Sequence, residues 1–284
     1  MLFTVGVCSI INISMKIGFF DSGLGGLHIA QAVRKALPKY DYVYLGDTLH
    51  VPYGKRSRDT IYRLTEKAVE YLFTQHDCKL VIVACNTASA LALRKLQQGW
   101  LAENYPDRRV LGVIVPTLEH TLDIKARRIG LIATEAMCES GIYDEELVKL
   151  DPEIALFHQS APLLVPLLEY EGDEFLTKAL DNYLSKLNTY NIDTLILGCT
   201  HYCLLKEQAK ALLPNVNVVS QDEIIPQKLH QYLQRHSELE KLLSCEGAFE
   251  IFVTDNSQAF IRSAYNVLDI TQEKAVINLC NIYG

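Results

Sequence analysis

The sequence has no apolar run of the roughly 18 to 20 residues that a membrane-spanning helix requires, so a membrane partner is not expected. Positive charge is in the minority, with 27 Lys and Arg against 34 Asp and Glu and a net charge of −7. That argues against nucleic acid as a partner, because phosphate recognition needs clustered cations. Met1 to Ile13 carries no charge, yet it lacks the basic segment and small-residue cleavage site of a secretory signal. Residues 1–14 read as a short appendage ahead of the first strand, and the cytoplasm is the expected compartment. Low-complexity stretches and obvious linkers are also lacking. The glycine cluster Gly23-Leu24-Gly25-Gly26 falls short of the dinucleotide pattern G-x-G-x-x-G, since His28 stands where the last glycine would be.

What remains is a chain of 284 residues, 49% hydrophobic and 21% charged, long enough for one large domain or two ordinary ones. Its eight cysteines would suggest a disulfide framework only in a small secreted protein. The stretch Asp193 to Leu205, DTLILGCTHYCLL, is the most informative. Thr194 to Leu197 is a short apolar run without alternation, as expected of a strand buried on both faces, and Gly198 ends it. Leu204, Leu205, Ala209, Leu212 and Leu213 then recur at helical spacing, which places Cys199 to His201 between a strand end and a helix start. In open α/β sheets that crevice binds ligands.

The same arrangement occurs earlier. Leu80 to Ala84 is an apolar run, Cys85-Asn86-Thr87 follows, and Ala88, Leu91, Ala92 and Leu96 keep helical spacing. Cys85 and Cys199 are 114 residues apart, and Ile17 to Asp21 is similar to Ile129 to Ala133 at an offset of 112. The chain therefore reads as two copies of one half. Such halves could close on a small molecule with one sulfur on either side.

Further strands are expected at Met15–Phe20, Tyr42–Leu45, Val110–Val115, Ile154–His158, Val216–Val219 and Phe249–Val253. The Val110–Val115 strand would end at Pro116 and open the second half. Helices are expected from Ile29 to Leu37, Ile61 to Phe73, Phe175 to Leu187, Ile225 to Leu233 and after Ser257. Pro162 and Pro166 argue against a regular helix between Ala161 and Glu169.

A thiol at a helix N-terminus can have its pKa lowered, and Cys85 and Cys199 both occupy such positions, unlike Cys8, Cys78, Cys138, Cys245 and Cys280. Cys199, His201 and Cys203 could be taken for metal ligands, but zinc ligands within a pair usually stand two to four residues apart and need a fourth donor, so no metal is expected. His201 could trade a proton with Cys199 or be a structural histidine. Asp21 could be a helix cap or a site residue, and the glycines beside it could admit a small anion to backbone N–H groups.

Four ordered motifs resemble those of the glutamate racemases: Phe20 to Gly26 (FDSGLGG), Val51 to Gly54 (VPYG), Ala84 to Ser89 (ACNTAS) and Gly198 to Tyr202 (GCTHY). The resemblance runs from about residue 15 to the strand ending at Asp255. It implies a cofactor-independent enzyme that interconverts L- and D-glutamate for peptidoglycan synthesis. It also implies two similar doubly wound α/β domains related by a pseudo-twofold, with the active site in the cleft between them. The expected division is an appendage at 1–14, a first domain at 15–109 and 221–284, and a second at 110–220. Cys85 and Cys199 match the catalytic thiols, the first serving D-glutamate and the second L-glutamate. Asp21 and Ser22, Tyr53 and Gly54, Asn86 and Thr87, and Thr200 and His201 match substrate-binding pairs, while Asp21, Glu169 and His201 match groups that assist proton transfer. A homodimer is the expected assembly. Departures from the family pattern are Cys203 in place of a usual proline, Ala161 in place of a frequent cysteine, and the extra residues 1–14.

A racemase of aspartate or another small amino acid would use the same thiols. A thiol oxidoreductase would need them close enough to bridge. A binding protein without catalysis would explain a cleft but not paired thiols.

Overall fold

The computed structural model describes residues 14–169, 173–268 and 276–283, so all but the last residue of the expected appendage lies outside the described residues. Two parallel sheets form the frame. The first has six strands in the order β10-β9-β2-β1-β3-β4, and the second has four in the order β6-β5-β7-β8. Their ranges are β1 Lys16–Asp21, β2 Tyr42–Gly46, β3 Cys78–Val83, β4 Arg109–Gly112, β5 Arg128–Ala133, β6 Ala155–Ser160, β7 Thr194–Leu197, β8 Asn217–Val219, β9 Phe249–Val253 and β10 Ile277–Leu279. Every residue of β3 and β7 is buried, which is why both read as unbroken apolar runs: helices cover a parallel sheet on both faces.

The order β2-β1-β3-β4 is repeated in β6-β5-β7-β8, so the duplication read from the offsets is a duplication of topology. It reaches into the packing. Gly18, inside β1, lies where a Cβ would stand 3.1 Å from Cys78 Sγ and 3.3 Å from Leu72 Cδ1. Gly130, inside β5, would meet Ile192 Cδ1 at 2.7 Å and Leu187 Cδ1 at 3.4 Å. In each half a glycine lets a covering helix, Arg58–Gln75 or Asp173–Asn188, settle onto the central strand.

The strand expected to open the second half instead pairs with β3 and completes the first sheet, so the boundary expected at 109/110 falls inside it. It also ends early, because Ile114–Asp123 is a helix with Pro116 as its third residue. A proline there removes no hydrogen bond, since the first helical N–H groups have no intrahelical acceptor. The same reason overturns the expectation of an irregular Ala161–Glu169 segment: Leu164–Glu169 is a helix with Pro166 in its first turn. After β8 the chain returns to the first sheet. Helix Gln221–Arg235 packs Ile225, Leu229 and Leu233 with Ile29 and Val33 of helix Gly25–Ala36, and β9 pairs with β2. β10 was not expected from the sequence; a three-residue strand offers no periodicity to read.

Candidate active site

The two thiols face one cavity of about 30 Å³ between the halves. Ser22, the turn Val51–Gly54, Cys85, Asn86 and Thr87 line it from the first half, and Thr134, Val165, Gly198, Cys199, Thr200 and His201 line it from the second. Asp21 and Glu169 are not among the lining residues but are hydrogen-bonded to two of them, Thr200 and His201. Thr134 is not among the residues expected from the sequence, although the repeat points to it: Thr134 follows β5 as Ser22 follows β1, at the same offset of 112. A larger cavity of about 380 Å³ lies elsewhere, lined by parts of helices Ile114–Asp123 and Gln221–Arg235, and includes none of these residues.

Cys85 caps helix Asn86–Leu91, and its sulfur accepts the Ala88 N–H at 3.5 Å and donates to Ser22 Oγ at 3.5 Å. Its pKa is nevertheless not lowered. Burial first, and the charge of Asp21 second, push the thiol up to about 12, against the Ser22 and Ala88 hydrogen bonds. The expectation of a helix-activated thiolate is therefore overturned at Cys85. One short helix end cannot outweigh loss of solvent plus a neighbouring carboxylate.

Cys199 precedes a tight helical turn, Thr200–Leu205, which leads into helix Lys206–Leu212. Its sulfur lies 3.9 Å from His201 Nδ1, and His201 Nε2 lies 3.0 Å from Glu169 Oε1. Burial works against the imidazolium, but hydrogen bonds and charges from Cys199 and Glu169 prevail and hold the His201 pKa well above its ordinary value. His201 therefore lies between a carboxylate and the second sulfur, in surroundings that favour its protonated form. Among the described residues, no group of three or more His, Cys, Asp or Glu could hold a metal ion, and Cys199 and Cys203 are both free.

Asp21 is fully buried, and its Oδ2 accepts the N–H groups of Gly23 and Gly26, each at 3.0 Å. Its Oδ1 accepts the Thr200 hydroxyl across the cleft at 3.4 Å. Asp21 is thus both a turn-former and a link to the second thiol turn. Gly25 and Gly26 serve close approach: a Cβ on Gly26 would stand 2.4 Å from Asp21 Cβ, and one on Gly25 would stand 2.6 Å from His201 N. The Tyr53 hydroxyl donates to buried Asp47 at 2.7 Å, so this phenol is engaged by the first half. Gly54 packs on Thr134, whose Cβ would be 3.3 Å from an added methyl. The Asn86 amide is also engaged by protein, with Gln221 and Tyr143 as partners.

His28, on helix Gly25–Ala36, has a buried Nε2 without a partner. Burial lowers its pKa from 6.5 to about 4, with the His201 charge assisting and Asp222 opposing. Between those values the unfolded chain binds the proton and the folded one does not. Its contribution, about 3 kcal/mol, is therefore fully present above pH 6.5 and lost as pH falls to about 4. His28→Gln should flatten the decline in melting temperature over that window. Parallel wild-type and variant curves would assign the decline to other groups.

Two matched parallel sheets, each delivering a thiol from a central strand to one shared cavity, define an amino-acid racemase, an isomerase. A family model described as Asp/Glu/Hydantoin racemase matches residues 27–224, and the chain belongs to that family. A glutamate racemase from Sulfurihydrogenibium sp. is 38% identical over 94% of this chain and all of its own length. One from Aquifex aeolicus is 40% identical over 86% of this chain and 90% of its own. The crystal structure of the Francisella tularensis glutamate racemase in complex with D-glutamate superposes with a TM-score of 0.83, at 29% identity, covering 95% of this chain and 99% of that one.

Proposed function

We propose that this protein interconverts L- and D-glutamate by proton transfer between the α-carbon and two thiols, supplying D-glutamate for peptidoglycan synthesis in the cytoplasm. The observation that carries the reading is that Cys85 and Cys199 line one cavity from opposite halves. Inverting a carbon requires a base on one face and an acid on the other. Burial and Asp21 favour the protonated form of Cys85, while Cys199 and Glu169 favour the protonated form of His201 beside the second sulfur. In that state Cys199 takes the α-proton of L-glutamate and Cys85 delivers one to the opposite face. Turnover of D-glutamate runs through the converse state. The hydroxyls of the lining residues Ser22 and Thr87 are the candidates to stabilise the charge that develops as the α-proton leaves, the Thr200 hydroxyl being engaged by Asp21.

The cavity between the thiols is narrow, about 30 Å³, and Gly54 packs against Thr134 across it. In this reading glutamate enters as the halves part at the Gly54–Thr134 contact. The halves act as two domains in this reading, with the first boundary moved past β4 and the second near residue 220. A homodimer is the proposed assembly.

The test is circular dichroism of the purified protein with L-glutamate and no added cofactor. The ellipticity should decay to zero. A static signal would remove the reading, and visible absorbance from a bound aldimine would point to pyridoxal phosphate instead. Glutamate should exceed aspartate about a hundredfold in kcat/KM, which corresponds to about 2.7 kcal/mol of differential transition-state binding. Equal specificity constants would make this a broader acidic amino-acid racemase.

A further inference from the structure

The residue that follows each thiol is anchored across the cleft. Thr200, after Cys199, donates to Asp21 of the first half. Asn86, after Cys85, receives the hydroxyl of Tyr143 at its Oδ1, 3.2 Å away, and Tyr143 belongs to the core of the second half. Gln221 completes this second anchor with a reciprocal pair of amide hydrogen bonds. Asn86 Nδ2 donates to Gln221 Oε1 and Gln221 Nε2 donates to Asn86 Oδ1, both at 2.8 Å. Gln221 Nε2 also lies 3.4 Å from Thr117 Oγ1. Tyr143 and Thr117 are fully buried, and Asn86 and Gln221 are each 3% exposed, so solvent cannot replace a lost partner.

We propose that Gln221 and Tyr143 are positioning residues for the Cys85 thiol, an inference that rests on the two-thiol reading above. Asn86 is the first residue of the helix whose Ala88 N–H contacts the Cys85 sulfur. Holding its carboxamide from two sides sets the start of that helix, and hence the sulfur, relative to the half that carries Cys199. Gln221 opens the helix through which the chain returns to the first sheet, so the same hydrogen bonds tie that return to the alignment of the thiols. The pairing is specific. Each amide supplies the donor and the acceptor the other needs, and an apolar residue of equal length at 221 leaves both ends of the Asn86 amide without that partner.

The test uses Gln221→Met and Tyr143→Phe in the full chain, with kcat/KM, melting temperature and primary deuterium isotope effects from α-deuterated L- and D-glutamate. Enantiomers have equal free energies, so kcat/KM falls equally in both directions and cannot by itself locate the impaired thiol. The isotope effect can. Gln221→Met should lower kcat/KM by about 10- to 100-fold, the order expected of a misplaced reacting group. The isotope effect should rise with α-deuterated D-glutamate, whose C–H bond Cys85 breaks, and should not rise with the L-isomer. Tyr143→Phe should show the same asymmetry at smaller amplitude, and it carries the test if Gln221→Met does not fold. Unchanged kcat/KM in a folded variant, or equal isotope changes for both enantiomers, would overturn the inference. If instead the wild type leaves the α-hydrogen of glutamate unexchanged in deuterated water, the racemase reading fails first.

Discussion

Cys85→Ala and Cys199→Ala should each lower racemisation by about 10³-fold or more, because a positioned acid or base is commonly responsible for 10² to 10⁴ of an enzyme's rate. Neither loss should be rescued by the remaining thiol, since that sulfur reaches only one face of the α-carbon. Both side chains are buried and small, so the variants should stay folded and a melting curve checks that they do. A labelling experiment separates two thiols from one. During turnover of L-glutamate in deuterated water, the wild type should place solvent deuterium in D-glutamate before the recovered L-isomer acquires any. A single base serving both faces would label the recovered substrate from the start. Normal turnover by either folded variant would return both cysteines to the role of inert core thiols.

Gly25→Ala should be the most damaging substitution among residues that carry no side chain to the chemistry. The added methyl would stand 2.4 Å from Thr200 Oγ1 and 2.6 Å from His201 N and Thr200 C. Two of those atoms are backbone, so they cannot rotate away, and the second thiol turn must shift against helix Gly25–Ala36 or the helix against it. Overpacking of this kind costs about 1 to 3 kcal/mol in stability. The larger effect is on rate: moving Cys199 and His201 by an ångström can cost about a hundredfold. Gly99→Ala is the matched control, because a methyl there meets nothing within 4 Å inside a helical turn and should leave activity unchanged. Equal behaviour of the two variants would mean that the halves do not need this close approach.

The glycines after β1 illustrate how local reading and tertiary structure divide the work. In the sequence they raise the possibility of phosphate contact, and His28 counts against it. In the structure the tight approach at Gly25 is to the other half of the same chain, and at Gly26 to Asp21. The family resemblance matches Tyr53 and Asn86 to substrate binding. Both line the cavity, but their polar groups are taken by Asp47 and by Gln221 with Tyr143, partners between 6 and 135 residues away. The prolines at 116 and 166 misled for a simpler reason. A proline ends a helix only where its missing N–H would have been bonded, and composition does not say which turn it occupies.

The sequence by itself determined the two thiol-bearing turns, the duplicated half and the parallel-sheet class. A strand buried on both faces must be apolar throughout, a helix must repeat its apolar residues every three or four, and both rules act within a dozen residues. Only the tertiary structure decided that the two turns meet at one cavity, that Thr134 faces Gly54, and that burial raises the Cys85 pKa while Cys199 and Glu169 raise that of His201. Those outcomes depend on desolvation and on charges brought together from distant segments, and both are set by how far the two halves close on each other.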